Sequence, residues 1–237
     1  MLLAAVNFES PLFWAVFIGW ILSVVLHEFA HGVVAHLGGD WTIKERGGLT
    51  LNPLQYVDPF TSLLLPAIFL AMGGVPLPGG ATYIRRDLLR SKHWSAAVSL
   101  AGPAMNLLLF VAFALPLHPK FGWVDAINKD SWTTAQIFCG AMAVLQILGA
   151  LFNLVPVPPL DGFQAIAPYM DPDLRDKLST PPISTFLFFA YFMIVWRTPA
   201  VMLAMLRVMQ WLLDAMGFGP TWIFFPQAFD LAIWGSQ

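Results

Sequence analysis

Charge is scarce in this sequence. Only 11% of the 237 residues are Asp, Glu, Lys or Arg, where a soluble domain carries roughly 25%. A chain so poor in charge and 58% hydrophobic cannot clothe a water-facing surface. With a mean hydropathy of +0.69 it reads as an all-α polytopic membrane protein embedded in a lipid bilayer. The near balance of 12 basic and 14 acidic residues offers no electrostatic footprint for nucleic acid. Cysteine is almost missing. The single Cys139 excludes an internal disulfide and any multi-cysteine metal site, and its apolar surroundings read as those of a small buried thiol. No Lys or Arg precedes the first apolar run, which argues against a cleavable secretory signal. Internal repeats, low-complexity tracts and loops long enough for an inserted soluble domain are also lacking.

What is present is a series of long apolar runs. Residues 11–37 predict a first span, with Pro11 suited to a helix start and Gly38-Gly39 to its end. Residues 94–117 predict a second span and 133–155 a third. Pro103 should kink the second, and Asn106, one turn on, needs a partner in hydrocarbon. Around Thr42, Ile43, Leu49 and Leu51 the glycine-spaced alternation predicts a short membrane-associated β-hairpin. Residues 61–72 are too few for an ordinary span and are broken by Pro66; a re-entrant dip is favoured over a tilted crossing. The next loop holds Arg85, Arg86, Arg90 and Lys92, the densest basic cluster, and is expected on the cytoplasmic side. Apolar stretches at 183–196 and 198–217, split by Arg197, predict one or two extra C-terminal helices. The aromatic tail, 220–237, reads as an interfacial segment.

Inside the first span stands His27-Glu28-Phe29-Ala30-His31. On a helix His31 lies ~6 Å along the axis from His27 and only ~40° around it, so both imidazoles can reach one tetrahedral ion. Glu28 falls on an adjoining face, ~100° from His27, a poor place for a ligand and a good one for a base. Two imidazoles leave zinc one protein ligand short of a catalytic site. His36 is ~180° around the helix from His27. His93 lies in the basic loop and His118 on the far side. Of the acids, Asp161 follows a run of prolines on the predicted side of the membrane; Asp58 is the alternative. Alone, Asp161-Gly162 would read simply as a turn.

The order of four motifs narrows this further. His27-Glu28-Phe29-Ala30-His31, Leu51-Asn52-Pro53, Ala101-Gly102-Pro103-Ala104-Met105-Asn106 and Asn153-Leu154-Val155-Pro156-Val157-Pro158-Pro159-Leu160-Asp161-Gly162 together resemble the site-2 protease family of intramembrane zinc metalloproteases. The resemblance covers residues 11–170. It implies a three-span catalytic core, one zinc ion held by His27, His31 and Asp161, and Glu28 as general base. It further implies that Asn153 holds substrate backbone. Asn106, Pro158 and Leu160 join Asn153 as expected substrate contacts, with extended backbone near 156–160, 42–51 or 75–85 pairing to an unwound substrate strand. The expected partners are transmembrane protein substrates, in a multi-pass cell-membrane protein whose active site faces the cytoplasm. No peptide-binding or nucleotide-sensing domain of the kinds found in some relatives is recognisable, so the chain reads as a minimal member. The division expected is a protease core over 1–170 and C-terminal membrane helices with a tail over 171–237. A transmembrane metal-ion transporter is the competing reading, since intramembrane histidines and acids also mark ion pathways.

Overall fold

The computed structural model describes residues 6–64, 66–68, 79–125, 128 and 131–235. Three helices are long and apolar enough to cross a membrane. The first, α1, is Pro11–Gly38, with proline in its first turn. The second, α2, is Lys92–Ala114, capped by the Ser91 hydroxyl and extended by a 3-10 turn at Leu115–Leu117. It runs through Pro103 as one helix. The third, α3, is Thr134–Asn153, opened by a reciprocal cap between Thr133 and Gln136. These ranges agree with the three expected spans to within a few residues. Beyond them lie α4 (Asp161–Ile166), α5 (Pro172–Ser179), α6 (Ile183–Arg197), α7 (Pro199–Ala215) and α8 (Phe224–Trp234). Helices α5 and α6 reach the apolar length of a span only together and are bent by 68° at their junction.

The apolar core sits away from the histidines. Phe13 and Val16 of α1 pack with Ala141, Met142 and Leu145 of α3 and with Ala232 and Ile233 of α8. A second cluster joins Phe110, Ile147, Met209, Leu213, Phe218, Phe224 and Phe225. This leaves the second half of α1, where the histidines stand, free to face a cleft. The aromatic tail is therefore part of the core and not an interfacial strip. Phe224, Ala228 and Ala232 recur every four residues and bury one stripe of α8 against α3. Gly140 of α3 permits this approach, since a Cβ there would lie 2.7 Å from that of Ala228.

The expected hairpin over 42–51 does not form. Thr42–Glu45 is one helical turn, and the described residues contain no strand. Asp40 is the cause. Fully buried, its Oδ1 accepts the Thr42 amide at 3.1 Å and the Thr42 hydroxyl at 2.5 Å. A side chain that captures the amide two residues on closes the backbone into a turn before any strand can start. Its other oxygen accepts the Arg85 amide at 2.8 Å, and the Gly38 carbonyl accepts the Arg90 amide at 2.9 Å. Residues 85–90 are thereby fastened to the end of α1. The re-entrant expectation for 61–72 lies mostly outside the described residues. On its flanks, the Ala81 amide donates to the Tyr56 carbonyl at 3.0 Å and the Ser62 hydroxyl to the Gly79 carbonyl at 2.7 Å. Residues 156–160 also depart from expectation. They turn back on themselves, the Val157 amide bonding the Val155 carbonyl and the Leu160 amide that of Val157, so they offer no extended edge.

Candidate metal centre and cleft

His27, Glu28 and His31 are all buried on the face of α1 that meets α2. Leaving two imidazoles and a carboxylate there without partners would be costly, and α2 answers the imidazoles. Nδ1 of His27 donates to Oδ1 of Asn106 at 3.1 Å. Nδ1 of His31 donates to the Val98 carbonyl at 2.6 Å. Each bond places the ring proton on Nδ1 and leaves Nε2 as a bare lone pair. The two Nε2 atoms then face each other across 3.1 Å.

Asp161 completes the set. Its Oδ2 lies 3.2 Å from Nε2 of His27 and its Oδ1 3.4 Å from Nε2 of His31. Three mutually facing acceptors repel unless a cation lies among them. Donors ~2.0–2.1 Å from a tetrahedral zinc stand roughly 3.3 Å apart; the two Nε2 atoms at 3.1 Å, and one or other Asp161 oxygen at 3.2 Å and 3.4 Å from them, are on that scale. The residues present fit zinc. A carboxylate oxygen of Glu28 lies within 4.8 Å of the imidazole donors. No hydrogen bond holds that carboxylate among the described residues, and it faces the cleft.

Gly102 makes the closeness of α2 possible. A Cβ there would fall well inside van der Waals contact of both Nε2 atoms, in the space between the imidazoles and α2. Val98, Gly102 and Asn106 recur every four residues, so one face of α2 presents a carbonyl, a bare backbone and an amide to α1. Sequence reasoning noted Gly102 only as part of a motif and missed the Val98 carbonyl. The available signal was the spacing of small and polar residues, Ser95, Ser99, Gly102 and Asn106, in an otherwise apolar helix.

The centre opens into a cleft of about 620 Å³. One wall is polar: His27, Glu28, His31, Asn106 and Asp161. The lining also takes in Phe188, Phe192 and Val195 of α6 and Met202 and Met205 of α7. The Tyr191 hydroxyl, donating to the Phe152 carbonyl at 3.2 Å, docks α6 over the end of α3. Along one side runs the irregular segment Gly79–Ile84. Asn153 lines the cleft, its Nδ2 donating back to the Gly149 carbonyl at 3.1 Å. Leu160 lines it too, beside Pro159, whereas Pro158 is buried and does not. Asn106 lines the cleft but spends its carbonyl oxygen on His27. His36 is exposed; His93 bonds the Tyr169 hydroxyl; His118 donates to the Met216 carbonyl. Asp58 is not among the cleft residues.

Asn106→Ala should weaken zinc binding by about 10–100-fold, because it frees the His27 ring to rotate and to change tautomer. Competition titration of the purified protein with a zinc chelator measures this; unchanged affinity would mean that the His27–Asn106 bond has no part in holding the metal.

A His-Glu-x-x-His helix with a converging aspartate, set among apolar spans, is the arrangement of a membrane-bound zinc metalloprotease. The chain is 37% identical over 205 residues to "Putative zinc metalloprotease Rip2" of Mycolicibacterium smegmatis, covering 86% of this chain and 75% of that one. It is 34% identical over 208 residues to the Mycobacterium tuberculosis protein of the same name, covering 88% and 76%. It is 33% identical over 181 residues to "Putative zinc metalloprotease YwhC" of Bacillus subtilis, covering 76% and 78%. No protein-family model matches the chain. No solved structure gives a significant match. The chain belongs to the site-2 protease family of zinc metalloproteases.

Proposed function

We propose that this protein is an intramembrane zinc endopeptidase that hydrolyses peptide bonds in or beside transmembrane segments of membrane-protein substrates. The observation that carries the reading is the meeting of His27, His31 and Asp161 in a cleft that is also lined by apolar residues of two C-terminal helices. In this reading those three residues hold the ion. Zinc bound there supplies Lewis acidity and brings water into the range of deprotonation near neutral pH. Glu28 takes the proton of the attacking water and delivers it to the leaving amide nitrogen, so that one peptide bond and one water become a carboxylate and an amine. Helices α6 and α7 receive apolar side chains, and Asn153 and Leu160 contact the substrate. The core over 1–170 carries the chemistry, and 171–237 supplies the apolar wall. The centre opens toward the cytoplasmic side, where the basic residues around Arg90 lie.

A helical peptide bond has its carbonyl occupied and its backbone shielded, so the substrate unwinds before it is cut. The edge that receives it is Gly79–Arg85. The amides of Ala81 and Arg85 bond inward, to the Tyr56 carbonyl and the Asp40 carboxylate. Those of Gly80, Thr82, Tyr83 and Ile84 have no acceptor among the described residues. Open amides on an irregular segment beside the cleft are what strand addition requires. A single-span peptide with Gly or Pro beside the scissile bond should therefore be cleaved several-fold faster than an uninterrupted helix; equal rates would remove the unwinding step.

The deciding experiment reconstitutes the purified chain with a single-span peptide in liposomes. Cleavage within the membrane segment is expected, stopped by a zinc chelator and restored by added zinc. Zinc flux across the vesicle wall without cleavage would favour the transporter.

A further inference from the structure

Among the described cleft residues, Arg86 is the one side chain with a permanent positive charge. It stands on a 3-10 turn, Arg86–Leu88, and reaches onto α2. Nη1 donates to the Ser95 carbonyl at 3.2 Å and to the Ser95 hydroxyl at 2.8 Å. Nη2 donates to the Ser99 hydroxyl at 3.0 Å. The two serines are one turn apart on one face of α2, so they engage the two terminal nitrogens. A guanidinium has five N–H groups, and these bonds use three. The Nε–H and the second Nη2–H have no acceptor among the described residues, and no carboxylate there comes within ion-pair distance of Arg86. Burial pulls its guanidinium below the usual arginine range, and Asp161, within electrostatic reach, pushes the other way.

A divalent ion at the centre is balanced by Asp161 and Glu28, which leaves the guanidinium unmatched. A largely desolvated cation is unfavourable without a counter-charge. The Nε edge of arginine is a planar fork that fits a carboxylate through two parallel hydrogen bonds. We propose that Arg86 binds a carboxylate of the peptide substrate and so selects peptides with an anionic group near the scissile bond. The carboxylate belongs to an Asp or Glu side chain or to a free C-terminus. The inference rests on the protease reading above. A purely structural Arg86 would instead do no more than tie its turn to α2.

The test uses the full-length, zinc-loaded protein and single-span peptides in matched pairs. One pair differs by Glu against Gln beside the scissile bond, the other by a free against an amidated C-terminus. The wild-type protein should cleave the carboxylate member of one pair with kcat/KM about tenfold or more higher, mainly through KM. The pair that discriminates names the source. Arg86→Gln, which keeps donors for the serines, should erase that preference, bringing the carboxylate member of the pair down to the rate of its neutral counterpart. Equal cleavage within both wild-type pairs overturns the proposal, and that comparison does not depend on the variant folding. So does a variant that slows every peptide alike. Cleavage of none of the peptides by the wild-type protein would sink the protease reading, and this inference with it; equal cleavage sinks this inference alone.

Discussion

Gly102→Ala is expected to empty the zinc site while leaving the helices intact. The substitution adds one methyl group, and that methyl meets Nε2 of both His27 and His31. Those atoms cannot yield without losing their metal geometry, because their Nδ1 atoms are tied to Asn106 and Val98 on the same helix that carries the methyl. The remaining outlet is separation of α1 from α2, and forcing packed elements apart costs typically 1–3 kcal/mol, about the scale on which such cores tolerate overpacking. Helix propensity acts in the opposite sense. Alanine favours a helix over glycine by about 1 kcal/mol, so α2 itself gains. The expected result is near-complete loss of bound zinc by metal analysis, with an unchanged far-UV circular dichroism spectrum. Full zinc occupancy would mean that α2 lies farther from the imidazoles than the structure places it.

Glu28→Gln should do the reverse: keep the metal and lose the reaction. Gln preserves shape but cannot take a proton from water. The His27, His31 and Asp161 donors are untouched, so one zinc per chain should be retained. Removing a positioned general base typically costs 10²–10⁴-fold in rate, and kcat should fall by about that factor. Steady-state kinetics beside metal analysis of the same sample checks both halves. Zinc lost together with activity would make Glu28 a ligand and displace the proposed base. In cells making only this form, single-span proteins that the wild-type form removes should accumulate in the membrane proteome.

The spans were legible because hydrocarbon is an exacting solvent. Each of α1, α2 and α3 needs about 20 apolar residues in a row, and no other arrangement of those residues is tolerated. The metal motif was legible because its partners sit four apart on one helix, where local geometry alone brings them together. The misreadings share a cause. Around Thr42 an alternating pattern lost to the buried carboxylate of Asp40. The aromatic tail suited a membrane interface as well as a core, and the four-residue spacing of Phe224, Ala228 and Ala232 had to be weighed against a waiting surface on α3 that only the fold supplies. Asn106 was marked as a polar group needing a partner, but composition could not say that the partner is His27.

By itself, then, the sequence determined the apolar solvent, three helices long and apolar enough to cross a membrane, and the pair of imidazoles with a carboxylate at their side, all consequences of short-range periodicity. Asp161 was expected from the order of motifs, but its approach is set by the tertiary structure, which brings a residue 134 positions from His27 along the chain to 3.2 Å in space. The tertiary structure also decided that the last helices wall the cleft and that Arg86 faces it with part of its fork open. Contacts of that kind depend on how helices pack, which is set by the shape of every side chain between them and leaves no local mark on the chain.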